Sequence, residues 1–257
     1  MTPTTLVWLA LGLMLLHQAG TALLVAQMGR PLVAFLVGGL VFLLYPLWRI
    51  ARVSGRPADV LGTGPTRFSS YPLATLALLS AMPAAIALGH ILVPMSDPFP
   101  ESLRELVTVN GWGQGLFVVL AVAIVPALAE ELLFRGLLQR ALLTRLDPIG
   151  AIAFSSLAFG LVHGPTRAAP ATLLGILLGW IAYRTNSTRP GIVAHFLANL
   201  LAIVGTNTSR FAYDQWSENP TTQDALVGVI ITTIWVVAIW ASTRGEGEAA
   251  PSDSEAN

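Results

Sequence analysis

Eight runs of apolar residues recur along the chain, at about 4–28, 31–48, 71–93, 112–143, 150–163, 170–184, 190–204 and 223–242. A helix needs about 20 such residues to cross the hydrocarbon of a bilayer. In lipid, every backbone N–H and C=O must be satisfied within the chain, so only helices and closed barrels span. Barrel strands alternate polar and apolar residues at period 2, and runs such as "LALGLMLL" do not alternate. The reading is all-α: a polytopic membrane helix bundle of about eight transmembrane helices, with the fifth to seventh runs the shortest.

Composition agrees. Of 257 residues, 54% are hydrophobic and 11% charged, against roughly 25% charged in an ordinary soluble domain. Fourteen basic residues balance fourteen acidic ones, so no global charge recruits nucleic acid. With no cysteine, thiolate nucleophiles and thiolate metal sites are excluded, and catalysis is left to carboxylate, imidazole, hydroxyl or amide groups. The first run is too long for the apolar part of a signal peptide and has no basic segment before it, so it is expected to be a retained span. The expected organisation is an integral membrane domain over 1–242, then an acidic tail at 243–257 with no apolar face, expected to be disordered.

Arginines beside the spans set the expected orientation. Strict alternation through eight spans puts Arg49, Arg52, Arg56, Arg67, Arg140, Arg145, Arg184, Arg189 and Arg244 on one side, with Arg30, Arg104, Arg167 and Arg210 on the other. Nine against four makes the first side cytoplasmic. The protein is then a multi-pass cell-membrane protein with both termini in the cytoplasm. The loop "PMSDPFPESLRELVTVN" has proline punctuation and then a short amphipathic stretch, expected to form an interfacial helix.

Against this apolar background, "ALAEELLFRG" sets Glu130, Glu131 and Arg135 inside the fourth run. A charge at the centre of a spanning helix costs between about 2.5 and 17 kcal/mol, and such residues tend to be paired, to face a cavity and to serve function. Glu131 and Arg135, at i and i+4, meet on one helix face in the favourable order. Glu130 is turned about 100° away and is the carboxylate left over. An unpaired carboxylate at low dielectric suits taking a proton near neutrality and returning it, so Glu130 is the candidate general base. Downstream, "FGLVHG" carries Phe159 and His163, and "VAHFLANLL" carries His195 and Asn199, each pair four residues apart on one face. Three helices thus offer a carboxylate, two imidazoles and a carboxamide, a set able to activate water and hold an oxyanion.

Other polar residues read as structural. A lone intramembrane His or Asn is often a helix-to-helix hydrogen bond. His17, Gln18 and His90 have no companion motif and are expected to be packing or interfacial groups. The glycines of "GILLG", Gly175 and Gly179, are expected to allow close helix contact. Trp8, Trp48, Trp112 and Trp240, near span ends, are expected to be interface anchors.

The three motifs Glu130-Glu131-x-x-x-Arg135, Phe159-x-x-x-His163 and His195-x-x-x-Asn199 resemble the signature of the CAAX protease and bacteriocin-processing family, CPBP, which includes the type II CAAX prenyl endopeptidases. All three are complete and in order, and the resemblance covers about residues 112–204. It implies an intramembrane endopeptidase acting on a membrane-associated protein or peptide, of the CAAX-processing or C-terminal sorting-signal type. It also implies roles: Glu130 and His163 activate water, His195 and Asn199 support the oxyanion, and Glu131 and Arg135 form a structural pair, with Phe159 in support. The family is commonly called a metalloprotease. His163 and His195 with Glu130 offer zinc a three-ligand set with an open position, but a tightly bound Glu130 is a poor base and Asn is a poor zinc ligand. Water activation without an obligate cofactor is the preferred version, with zinc on His163 and His195 the other.

Two readings of other classes remain beside the protease. One is a non-catalytic bacteriocin-immunity or scaffold protein that keeps the polar cluster for binding. The other is a small proton-coupled transporter, although no inverted repeat is visible. One mismatch is also left open: His195 sits near the arginine-rich end of its span, whereas Glu130 and His163 lie deeper. Either the span boundaries lie elsewhere, or the helices are tilted or broken around a water-filled cavity open to the cytoplasm.

Overall fold

The computed structural model describes residues 1–92, 101–208 and 221–244. The tail beyond 244 and the side chain of His90 lie outside the described residues. The described chain is helical: α1 Pro3–Met28, α2 Pro31–Ser54, α3 Ser70–Leu92, α4 Glu101–Val107, α5 Trp112–Leu142, α6 Pro148–Leu161, α7 Ala168–Thr185, α8 Arg189–Asn207 and α9 Thr222–Ser242, with a single turn at Pro57–Val60. The polytopic helical bundle read from the sequence is what is found, and the expected short helix in the loop before the fourth span is α4.

The ends follow local chemistry. Thr2 accepts from the Thr5 N–H at the start of α1, and Asp147 from the Gly150 N–H at the start of α6. Thr221 and Asp224 form a reciprocal capping box on α9; each such cap satisfies a backbone donor with no partner inside the helix. Between α1 and α2, Gly29 takes the left-handed conformation at φ 58° and Pro31 opens the next helix, the usual stop and start chemistry.

Six helices are long and apolar enough to cross a membrane: α1, α2, α3, α5, α8 and α9. The fifth and sixth runs depart from the expected eight full spans. They pack against each other as a hairpin, α6 and α7, and α6 has only 14 residues. At 1.5 Å per residue α6 reaches about 21 Å, short of the roughly 30 Å of hydrocarbon.

Contacts between ends sort the helices onto two faces. Arg145 reaches Thr4, Arg140 reaches Asn186, Arg67 reaches the Ser242 carbonyl, and Arg184 reaches Thr243. The 57–64 linker is stitched to the start of α8: the Thr188 N–H donates to the Gly62 carbonyl at 2.8 Å, and the Ser187 hydroxyl to the Gly64 carbonyl at 2.8 Å. On the opposite face, Asn207 at the end of α8 bonds to the Val107 carbonyl and the Val109 N–H, each at 2.8 Å.

The linker does not stay at the surface. A Cβ added to Gly136 would stand 2.7 Å from the Leu61 carbonyl oxygen, so only glycine admits the linker at that point on α5. α8 therefore begins level with the middle of the last turns of α5. That recess removes the depth mismatch: seven residues into α8 from Thr188, His195 is level with Glu131.

Candidate active site

α5 carries a buried polar stripe, Glu131, Arg135 and Gln139, at i, i+4 and i+8, each at most 1% exposed. From Leu132 to Gln139 the backbone follows wide π-helical turns, a local distortion that frequently marks functional sites. Arg135 donates from Nη1 to Glu131 Oε1 at 2.9 Å and from Nη2 to the Gly175 carbonyl at 3.1 Å. Gln139 donates to the Gly179 carbonyl at 2.9 Å and accepts from the Ser155 hydroxyl at 3.2 Å. The two glycines of "GILLG" therefore make room for side chains of α5. A Cβ at Gly175 would stand 3.2 Å from Arg135 Nη2, and one at Gly179 2.7 Å from Gln139 Oε1.

Phe159 lies at the centre of the site. Its ring centroid is 4.6 Å from that of His163, 5.9 Å from that of His195 and 5.2 Å from that of Phe134, and the Arg135 guanidinium carbon is 4.3 Å above it. One ring thus sets the spacing of both imidazoles and stacks on the buried cation.

Hydrogen bonds fix each imidazole on its inner nitrogen. His163 Nδ1 is 2.7 Å from the Phe159 carbonyl; a carbonyl only accepts, so Nδ1 carries the proton. His195 Nδ1 is 3.0 Å from Glu131 Oε1 and donates to that carboxylate for the same reason. Each ring then turns Nε2 toward Glu130, and in its neutral form presents a lone pair there. Glu130 Oε2 stands 3.9 Å from His163 Nε2 and 3.9 Å from His195 Nε2, and it has no hydrogen-bond partner though buried. Both gaps exceed a direct hydrogen bond. Acceptors facing one another call for a proton-bearing group between them, and a water there can donate to two of the three, Glu130 Oε2 and one imidazole.

These groups line a cavity of about 400 Å³ whose wall also includes Asn199, Arg167, His17 and Gln18. Among the described residues the Asn199 carboxamide has no hydrogen-bond partner, one turn beyond His195. Glu130, His163, His195 and Asn199 therefore meet in one cavity, with Glu131, Arg135 and Phe159 directly behind them.

Sequence reasoning missed Gln139, the third member of the stripe, although its i+8 spacing was visible. It also missed that His17 and Gln18 face the cavity. Gln18 donates to the Val162 carbonyl at 3.4 Å and His17 Nδ1 lies 3.4 Å from the Thr21 hydroxyl; no motif joins these residues to the rest. Arg167 read only as a loop cation, because the shortness of α6 that brings its turn to the cavity is not a local signal.

A zinc site imposes distances of its own. Ligand atoms sharing one tetrahedral zinc at 2.0–2.2 Å stand about 3.4 Å apart, whereas both carboxylate-to-imidazole gaps here are 3.9 Å. Among the described residues no three His, Cys, Asp or Glu stand close enough to hold an ion. The Nδ1 bonds to a carbonyl and a carboxylate are the outer-shell partners of zinc-binding histidines, but the three donors do not fit a zinc as they stand.

The fold and cavity define a polytopic helical membrane protein with a hydrophilic site at bilayer depth. Compared with known families, residues 112–201 match the family described as type II CAAX prenyl endopeptidase Rce1-like, and this segment, α5 to α8, carries all three motifs. The resemblance to the CAAX protease family is thereby borne out for that part of the chain. No curated protein and no solved structure is significantly similar to the chain.

Proposed function

We propose that the protein is an intramembrane endopeptidase that hydrolyses a peptide bond of a membrane-associated protein or peptide with a water activated by Glu130 and His163. The observation that carries the reading is the convergence of Glu130 Oε2 with the Nε2 atoms of two imidazoles, each 3.9 Å away, in a cavity that Asn199 also lines. A water there gives a proton to Glu130 while its oxygen attacks the scissile carbonyl carbon; the proton then passes to the leaving amine, which departs as the carbon–nitrogen bond breaks. Asn199 donates to the oxygen that becomes negative. His195 donates to the same oxygen only with a second proton on its ring, and Glu131 supplies the negative charge that a doubly protonated ring pairs with. No step is routed through a metal.

The test works without an identified substrate. Protein termini in membranes of cells expressing the parent are mapped by mass spectrometry and compared with those of cells expressing Glu130→Gln. Termini created by the parent are expected to fall at least about 100-fold with the variant, the scale of a lost general base, at equal membrane abundance. Identical termini in the two membranes overturn the reading. In the purified protein the cleavage is expected to survive a chelator such as 1,10-phenanthroline, and its loss with recovery on added zinc would reinstate the metal version.

A further inference from the structure

The cavity runs from Glu130 away from the arginine-rich face. Along its wall lie Ala129, Ala202, Ile203 and, farthest out, Leu106 and Val107, and Val107 is bonded to Asn207 at the end of α8. In the other direction the way is closed. Leu133, Phe134, Leu137 and Leu138 are at most 2% exposed, and the 57–64 linker packs across Gly136. The lining thus runs away from the arginine-rich side, the opposite of the cytoplasmic opening weighed from the sequence.

The cause is the short helix α6. Its antiparallel register against α5 pairs Ser155 with Gln139 and Phe159 with Arg135, which brings the following turn, with His163 and Arg167, level with Glu130. Beyond that turn the hairpin supplies no more wall, and α1, α2, α5 and α8 continue around the space left. Irregular backbone at bilayer depth is tolerated where it lines such a water-filled space.

The end contacts place Arg49, Arg52, Arg56, Arg67, Arg140, Arg145, Arg184, Arg189 and Arg244 at the closed face. Arg30, Arg104 and Arg167 lie toward the open one, and Arg210 lies outside the described residues. Flanking arginines keep the face that carries them in the cytoplasm. From these two facts we propose that the cavity opens away from the cytoplasm, so that its substrate is an exported protein or peptide tethered in the outer leaflet rather than a lipidated tail in the cytoplasm. The substrate half of this statement rests on the hydrolase reading above; the sidedness does not.

The chain has no cysteine, so a single substitution supplies its only thiol. Asn110→Cys, exposed at the open face, Thr166→Cys, in the turn after α6, and Ser69→Cys, exposed at the closed face, are each expressed in the full chain. Intact cells are treated with a membrane-impermeant sulfonated maleimide. Asn110→Cys and Thr166→Cys are expected to label in intact cells, and Ser69→Cys at least tenfold less until the cells are permeabilised. The reverse pattern overturns the orientation. Labelling of Asn110→Cys from outside while Thr166→Cys stays unreactive even after permeabilisation overturns the opening of the cavity toward that face. Labelling is read without activity, so its failure is distinct from failure of the Glu130→Gln comparison.

Discussion

Glu131 Oε1 receives two donors, the guanidinium of Arg135 and the ring of His195. The ion pair therefore orients a catalytic candidate besides cancelling charge. Removing one partner of a buried pair leaves the other uncompensated, at a cost of about 3–5 kcal/mol. Arg135→Leu is accordingly expected to lower the thermal midpoint in detergent more than Glu130→Gln, since the buried Oε2 of Glu130 has no hydrogen bond to lose among the described residues. Phe159→Ala is expected to cost about 3–5 kcal/mol by deleting a buried ring and to release both histidines, visible as changed imidazole resonances of His163 and His195. At this scale the sequence was informative. The i, i+4 spacing identified the Glu131 and Arg135 pair, and the 100° offset singled out Glu130 as the unpaired carboxylate. It did not show that Glu131 serves His195, because that contact joins residues 64 apart.

Helix α7 serves α5 through its glycines. Gly175 and Gly179 expose carbonyls to Arg135 and Gln139, and Gly191 on α8 lies against Glu131, where an added Cβ would stand 3.1 Å from Oε2. Gly179→Ala is expected to cost about 1–3 kcal/mol, the range for an overpacked interior, measured as a lowered thermal midpoint. Gly191→Ala presses on the carboxylate that holds His195, so the rate of cleavage is expected to fall with a smaller loss of stability. Small-residue spacing was legible in the sequence, but its partner was not: "GILLG" reads equally well as a backbone contact, and only the register of α5 against α7 shows that it hosts side chains. The length of α6 was visible as a short run, yet its consequence needed the tertiary fold.

For the molecule as a whole, a cavity that opens away from the arginine-rich face, as proposed above, makes a simple demand. Ala202 lines the wall between His195 and the open face. Ala202→Trp is expected to block cleavage while leaving the fold and the Glu131–Arg135 pair intact, checked by activity and thermal midpoint together. Hydropathy revealed the bundle, and Arg67, Arg140, Arg145 and Arg184, which span alternation puts on one side, make their end contacts at one face. Which face the cavity opens to was not legible, because it depends on where the 57–64 linker packs and where α6 stops, both settled by contacts far apart in sequence.

The stunted α6 has an effect outside the protein as well. Ile149, Phe154, Leu157 and Leu161 are exposed on its outer side, over a height about 9 Å less than the hydrocarbon. Acyl chains against that flank must shorten or bend to meet it, a mismatch that costs fractions of a kcal/mol per ångström. A neighbouring helix that enters this thinned annulus outspans the local hydrocarbon, and its end is displaced toward water.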